Sequence, residues 1–356
     1  MKIVVENGKV VHISKKVPQH EAFGNSIDLY KIDRAAFKIL ENIVERIISE
    51  DRNLWFEVAL DELLKKVEFK PFDISERNWA EIDNYDDLYE AELAFSTFSL
   101  KNKKAFVFDL DGTVYVGNEP IRGTVDFIIK YSDKYDIYFM SNNTSKEPIM
   151  YVEKLKSYGI KTTVDKVITP ITALVGFLKA NEITKIYPIG SNAFQRALKE
   201  HLPRISFTNK QGQCQAVVVA YDTELTYEKL RIASILLREP NVKLLATHQD
   251  IVCPTEHGNI PDIGTIIEIL RMTTGRQPDR IFGKPNPDLL KPVLEKYEKS
   301  ELVIVGDRLY TDKAMADKLG VDFILVLSGE TKREEVEKEE KFPALILKDL
   351  SHLEWL

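Results

Sequence analysis

The sequence predicts an α/β protein: a parallel sheet with helices on both faces, an α/β unit inserted into it, and a smaller α+β segment in front. Three observations carry this. From Lys103 onward, strand-sized apolar runs alternate with helical stretches. Between Ser141 and Lys284 lie 142 residues, far more than one crossover needs, so a further unit is inserted there. The first hundred residues hold 13 Lys and Arg against 20 Asp and Glu, whereas the remainder balances. All of the net charge of −7 therefore sits in front of a boundary near 100–104. The expected organisation is a front segment at 1–100, a core at 101–178 and 276–356, and an inserted unit at 179–275.

Composition narrows the class. A chain of 356 residues with 44% hydrophobic and 29% charged residues has the balance of a soluble globular protein. AFVF, IYFM, AVVVAY, KLLA, LVIV, FILVL and ALIL are all strand-sized, and none approaches a membrane span. The start MKIVVENGKVV has no apolar signal core, so a cytoplasmic protein is expected. Cys214 and Cys253 provide no disulfide framework and suit a reducing compartment. An acidic to neutral surface argues against nucleic acid as a partner.

In the front segment, alternation through Val17 around Asn7-Gly8 predicts a hairpin. Helices are expected around Arg34–Glu50 and Asn53–Lys66, followed by extended VEFKPFDI. A short strand in NWAEID and a helix capped by Asn84 or Asp86 close the segment.

The centre of the chain is KAFVFDLDGTV, a buried strand ending in Asp109 and Asp111. In an extended strand, residues two apart point the same way. Two carboxylates aimed at one spot need a cation or a shared proton. With Mg2+ between them, Asp109 is placed to attack phosphorus and Asp111 to handle the proton. Three further motifs fall at strand ends, where ligands of parallel sheets sit. IYFMSNNTSKEP runs from a strand into Ser141, Asn142 and Asn143 before a helix opening near Lys146, a phosphate cradle. IFGKPNPDLLKPVL places Lys284 ahead of Pro285 and Pro287, which start a helix. LVIVGDRLYTD ends a strand at Asp307, a third oxygen ligand for Mg2+, with Asp312 beyond it to bind the metal's water or orient Lys284.

These four motifs in order resemble the haloacid dehalogenase (HAD) superfamily. SNN followed by Thr or Ser resembles its NagD-like or p-nitrophenyl-phosphatase-like branch. The resemblance covers about residues 101–350 and implies a Rossmann-like core with an inserted C2-type cap. It implies an Mg2+-dependent phosphomonoesterase acting through an aspartyl-phosphate. Asp109, Asp111, Ser141 and Lys284 would be catalytic, and Asp109, Asp111 through its backbone carbonyl, Asp307 and Asp312 would surround the metal. The substrate would be a small phosphorylated metabolite such as a polyol, sugar or glycolate phosphate, with p-nitrophenyl phosphate as surrogate. A phosphomutase is the nearest enzymatic alternative.

Within the cap, HQDIVCPTEHGNIPD carries His248, Asp250, Cys253, Glu256 and His257 but lacks the regularly paired ligands of a zinc site. By resemblance this loop faces the core, so Asp250 and His257 touch the leaving group, as Asn142 and Asn143 touch the substrate; an ordinary polar loop is the alternative. KREEVEKEEK at 332–341 reads as a solvated helix. Residues 1–100 resemble the C-terminal part of sugar-phosphate and phosphocholine nucleotidyltransferases, which implies metal contacts at Glu81 and Asp83. Gly8 and Gly24 are the only glycines there, so no loop cradles a triphosphate. The segment reads as a half-domain kept for packing or assembly, with homo-oligomer formation through its open sheet edge, or else as a nucleotide-handling module.

Overall fold

The computed structural model describes residues 1–144, 147–255 and 258–355; the side chains of 254, 255, 259, 354 and 355 are outside the description. The chain divides into two compact units, Met1–Asp87 and Leu88–Leu356. The division falls earlier than charge suggests, because Tyr89, Leu93 and Phe98 belong to the hydrophobic core of the second unit.

In the first unit, Lys2–Glu6 and Lys9–Ser14 form the expected antiparallel hairpin. Asn7 and Gly8 turn it with φ of 50° and 77°, the positive pair that matches strand twist. Gly24–Asn25 adds a short third strand. Helix Arg34–Glu50 stands where its periodicity put it: Ala36, Leu40, Ile43 and Ile47 form one buried face, and Asp33 caps the Ala36 N–H at 2.8 Å. The next helix is shorter than expected, Phe56–Leu64. VEFKPFDI makes a bridge from Phe69 to Val10 and carries no further regular element. The strand expected at 79–83 does not form. No described strand supplies it with ladder partners, so Trp79 and Ile82 remain exposed along with Glu81 and Asp83, and no metal-binding strand arises there. Helix Tyr85–Phe95 does follow, with Asn84 Oδ1 accepting from the N–H groups of Asp86 and Asp87.

The second unit contains a six-stranded sheet. In spatial order its strands are Leu345–Leu347, Asp322–Val326, Leu302–Gly306, Ala105–Asp109, Asp136–Met140 and Val167–Ile168, all parallel. Alternation along Ala105–Asp109 sends Phe106 and Phe108 into one core and Ala105 and Val107 into the other. The first strand in sequence lies between the second and a much later one, so chain order reverses at its carboxyl end. That is the crevice where parallel sheets bind ligands.

A second parallel sheet has the order Ser206–Phe207, Lys185–Ile189, Ala216–Val219, Lys243–Ala246 and Arg280–Ile281. Its last strand lies beyond the expected end at Gly275, and helix Pro170–Ala180 packs on one of its faces through Ile171, Leu174 and Leu178. The inserted unit is thus wider than 179–275. At the acidic tail, only Arg333–Val336 is helical. Glu339 and Lys341 pair instead with Lys313 and Asp317, so Lys341 does not serve Glu337 one turn back.

Phe108 is fully buried in the strand that delivers Asp109. Replacing it with alanine leaves a cavity, and Phe108→Ala is expected to cost about 3–5 kcal/mol of stability, read from the urea midpoint. A midpoint unchanged from the parent would contradict this packing.

Candidate active site

Register brings the motifs together. Asp109 pairs with Met140, the residue before Ser141, and Val305 pairs with Phe108, which sets Gly306 and Asp307 beside Asp109. Lys284 arrives from the inserted unit, just after the strand Arg280–Ile281. Its Nζ lies 2.5 Å from Asp109 Oδ1 and 2.7 Å from Asp312 Oδ1, and the whole side chain is buried. The lysine that sequence spacing places near the site therefore bridges two carboxylates, Asp109 and Asp312.

Asp109, Asp307 and Asp312 are all buried, with carboxylate oxygens within 4.8 Å of one another. Burial alone would push the Lys284 ammonium down, but Asp109 and Asp312 outweigh it and hold the group above its ordinary value. One ammonium cannot offset three carboxylates. Burial, then repulsion from Asp109 and Asp312, pushes Asp307 up to about 8. Burial also lifts Asp312 to about 6, against the pull of Lys284.

Asp307 Oδ2 accepts from the Glu330 N–H at 2.7 Å. Its Oδ1 is buried with no hydrogen-bond donor among the described residues. Such an oxygen, beside two further carboxylates, is suited to a hard cation. Two glycines keep the place open: a Cβ on Gly112 would come within 2.4 Å of Asp307 Oδ2, and one on Gly329 within 2.0 Å.

The Asp111 carboxylate is not part of this cluster, although strand alternation was expected to aim it at the same spot as Asp109; the ligand expected of Asp111 is its backbone carbonyl. Strand geometry stops at Asp109, and the chain turns at Gly112 with φ of 91°, so the two-residue alternation does not extend to Asp111, which is exposed. Ser141 is buried, and its Oγ accepts from the Asn143 N–H at 3.2 Å. The helix expected to open near Lys146 begins at Pro148, because the residue before a proline is held extended; Lys146 itself lies outside the described residues.

Asn142, expected to touch substrate, has its side chain committed elsewhere. Its Oδ1 accepts from the Lys284 N–H at 2.7 Å, and its Nδ2 donates to the Lys284 carbonyl at 3.3 Å and to Asp250 Oδ2 at 3.1 Å. It is a brace between core, Lys284 and cap. The Asn143 carbonyl accepts from the Tyr151 hydroxyl at 3.1 Å. Asp250 faces the core through Asn142, while His257 and Glu256 lie outside the described residues. The cap loop instead groups His248, Asp250 and Asp262, all with ligand atoms within 4.8 Å. Burial pushes His248 down and Asp262 up. Sequence reasoning did not single out Asp262, which reads only as the cap of helix Ile263–Thr274, or Arg308, which follows Asp307 and is largely buried beside it. For Arg308 the adjacency in GDR was a usable signal; for Asp262 there was none.

A switch-point cluster of three carboxylates and a buried lysine, roofed by a second α/β unit, defines a class of phosphate-handling hydrolases. Comparison with known proteins gives the family. Residues 106–202 match a haloacid dehalogenase-like hydrolase model, and residues 281–353 match a HAD-hydrolase-like model. An acid sugar phosphatase of Staphylococcus saprophyticus is 34% identical over 260 residues, covering 71% of this chain and 98% of the relative. A 5′-nucleotidase of Bacillus subtilis is 31% identical over 72% of this chain and 99% of its own. The solved 4-nitrophenylphosphatase of Thermotoga maritima superposes with a TM-score of 0.66 at 34% identity, covering 72% of this chain and 98% of that one. The chain belongs to the haloacid dehalogenase-like hydrolases and is a phosphatase of the NagD and p-nitrophenylphosphatase type, a phosphoric monoester hydrolase. More than a quarter of it lies outside the match to these relatives.

Gly329→Ala drives a methyl group into Asp307. It is expected to lower phosphate release from p-nitrophenyl phosphate by about 100-fold, since displacing a site group by an ångström costs about that much. Thermal melting of the same variant checks that the fold survives; full activity would show that the close approach is dispensable.

Proposed function

We propose that the protein is an Mg2+-dependent phosphomonoesterase that hydrolyses a small organic phosphate, such as a polyol, sugar or glycolate phosphate, through an aspartyl-phosphate. The observation that carries this reading is the donorless buried oxygen of Asp307 beside Asp109, with Lys284 bridging Asp109 and Asp312. Asp109, Asp307 and the backbone carbonyl of Asp111 would hold the metal, with Asp312 behind them. Bound there, Mg2+ would neutralise carboxylate charge and draw a phosphate oxygen toward Asp109.

In this reading Asp109 attacks phosphorus, and the bond to the alcohol oxygen breaks as Asp111 donates a proton to it. Asp111 then takes a proton from water, whose oxygen attacks the aspartyl-phosphate and releases inorganic phosphate. Lys284 and the Ser141 hydroxyl hold the phosphoryl oxygens throughout. Asn142 keeps Lys284 in register while binding the cap through Asp250, so closure of the cap and placement of the ammonium go together. Acid sugar phosphatases and 4-nitrophenylphosphatases among the relatives support the substrate class. We assign residues 1–87 a packing or assembly role rather than catalysis, and take the working compartment to be the cytoplasm.

The direct test is phosphate release from p-nitrophenyl phosphate with and without Mg2+, for the parent and Asp109→Asn. Release that requires both Mg2+ and Asp109 is expected; release by Asp109→Asn at the parent rate would refute the nucleophile.

The Asp307 carboxyl also makes metal binding pH-dependent. Between its ordinary value of about 4 and about 8, the folded chain holds a proton that the unfolded chain has lost. Without a cation, stability thus declines as pH rises through that window and the loss is complete above it. A cation takes the proton's place, so the rise in Tm on adding Mg2+ is expected to be larger at pH 8 than at pH 6. Equal rises at both pH values would argue against Asp307 as a ligand.

A further inference from the structure

We propose that His248, Asp250 and Asp262 form a second cation site, in the cap loop, that takes a divalent transition-metal ion such as Zn2+. It is distinct from the carboxylate cluster at the core strand ends and does not depend on the phosphomonoesterase reading. A ring nitrogen of His248 and one oxygen from each of the two carboxylates lie within 4.8 Å of one another. The His248 side chain is 2% exposed, and those of Asp250 and Asp262 are each 10% exposed.

The buried ring stands between the two carboxylates and bonds to neither. Nδ1 lies 3.6 Å from Asp250 Oδ2, and Nε2 lies 3.7 Å from Asp262 Oδ1, both beyond hydrogen-bond reach. Nδ1 accepts from the Asp250 N–H at 3.3 Å, whereas Nε2 has no hydrogen-bond partner among the described residues. The carboxylates are only partly met. Asp262 Oδ1 accepts from the Ile263 N–H at 2.7 Å, and Asp250 Oδ2 accepts from Asn142 Nδ2 at 3.1 Å. Among the described residues no Lys or Arg comes within ion-pair distance of either. Two buried carboxylates with no ammonium or guanidinium at hand, facing an unpartnered imidazole nitrogen, call for a cation. Tetrahedral ligands held at about 2.0–2.2 Å stand about 3.3–3.6 Å apart, close to the gap between Nε2 and Asp262.

The three side chains come from the two feet of one hairpin. His248 and Asp250 precede the strand Val252–Thr255, and Asp262 follows its antiparallel partner Gly258–Pro261. The backbone ties these feet together: the Asp262 N–H donates to the Ile251 carbonyl at 3.0 Å, and the Gly264 N–H to the Asp250 carbonyl at 2.8 Å. Gly264 permits that approach, since a Cβ there would come within 2.5 Å of the Gln249 carbonyl oxygen. Donors already gathered cost a ligand little ordering.

Donor chemistry selects the ion. The core cluster offers carboxylate oxygens alone, which suit Mg2+, whereas an imidazole with two carboxylates suits Zn2+. Burial pushes the imidazole toward its neutral form, the form that binds a metal. With Nε2 on the ion, the ring proton moves to Nδ1, on the side of Asp250. Three protein ligands leave a further position for water. Asp250 also holds Asn142, which fastens Lys284, so an ion here pins the loop on which that brace rests.

The test titrates the metal-free full chain with Zn2+ by calorimetry, in excess Mg2+ and on an Asp307→Asn background that weakens the core cluster. One Zn2+ per chain is expected to bind. Adding His248→Gln or Asp262→Asn is expected to weaken it by about 100-fold or more, since losing even an outer partner of a ligand costs about 10–100-fold. No binding on the Asp307→Asn background overturns the proposal, as does binding of undiminished affinity after either cap substitution. Asp262→Asn keeps a side chain that caps helix Ile263–Thr274. If His248→Gln melts early without metal, Asp262→Asn decides alone. Phosphate release is not the readout, so this result stands apart from the fate of the phosphatase mechanism.

Discussion

Three buried carboxylates face one buried ammonium, and the rest of the second unit is arranged around that imbalance. Moving a carboxylate out of water is costly unless its charge is met. Lys284 meets Asp109 and Asp312 at hydrogen-bond distance. Asp307 is left with one oxygen on a backbone N–H and the other without a donor among the described residues. Burial and its neighbours therefore hold a proton on Asp307, pushed up to about 8, in a place shielded from solvent, and a cation can take that proton's place. The site is poised for a cation and then for a phosphate, each of which relieves what the other brings.

The fold keeps this cluster from relaxing. Asp109 and Asp307 stand at the ends of adjacent strands whose side chains alternate into two packed cores, so neither carboxylate can withdraw without disturbing the sheet. Gly112 and Gly329 approach Asp307 too closely for any side chain. Lys284 is supplied by the far end of the inserted unit and fastened through its backbone to Asn142, which also holds Asp250 of the cap loop. The residue that counters the acidic cluster is thus mechanically tied to the part that covers it.

Much of this was legible in the chain. Each of the seven apolar runs forms a strand, because short runs of Val, Ile and Phe between turn signals have few other ways to be buried. Asp109, Lys284 and Asp307 meet at or near strand ends, where their motifs stand in the sequence. What failed depended on contacts that no local pattern records. The strand at 79–83 lacked a neighbour, Glu339 and Lys341 of the expected helix at 332–341 went to Lys313 and Asp317, and Asn142 turned from substrate toward Lys284.

By itself, then, the sequence determined the parallel α/β architecture, the inserted unit, the hairpin at Asn7-Gly8 and the set of chemical groups, because these follow from periodicity, turn chemistry and spacing along the chain. Only the tertiary structure decided which carboxylates share a site. Asp312 enters the cluster and the Asp111 side chain leaves it, since strand geometry ends at Asp109 while the turn after Asp307 bends back on itself. The same holds for Asp262 beside His248. Their roles come from elements far apart in sequence meeting across one crevice, and distance in space has no signature along a chain.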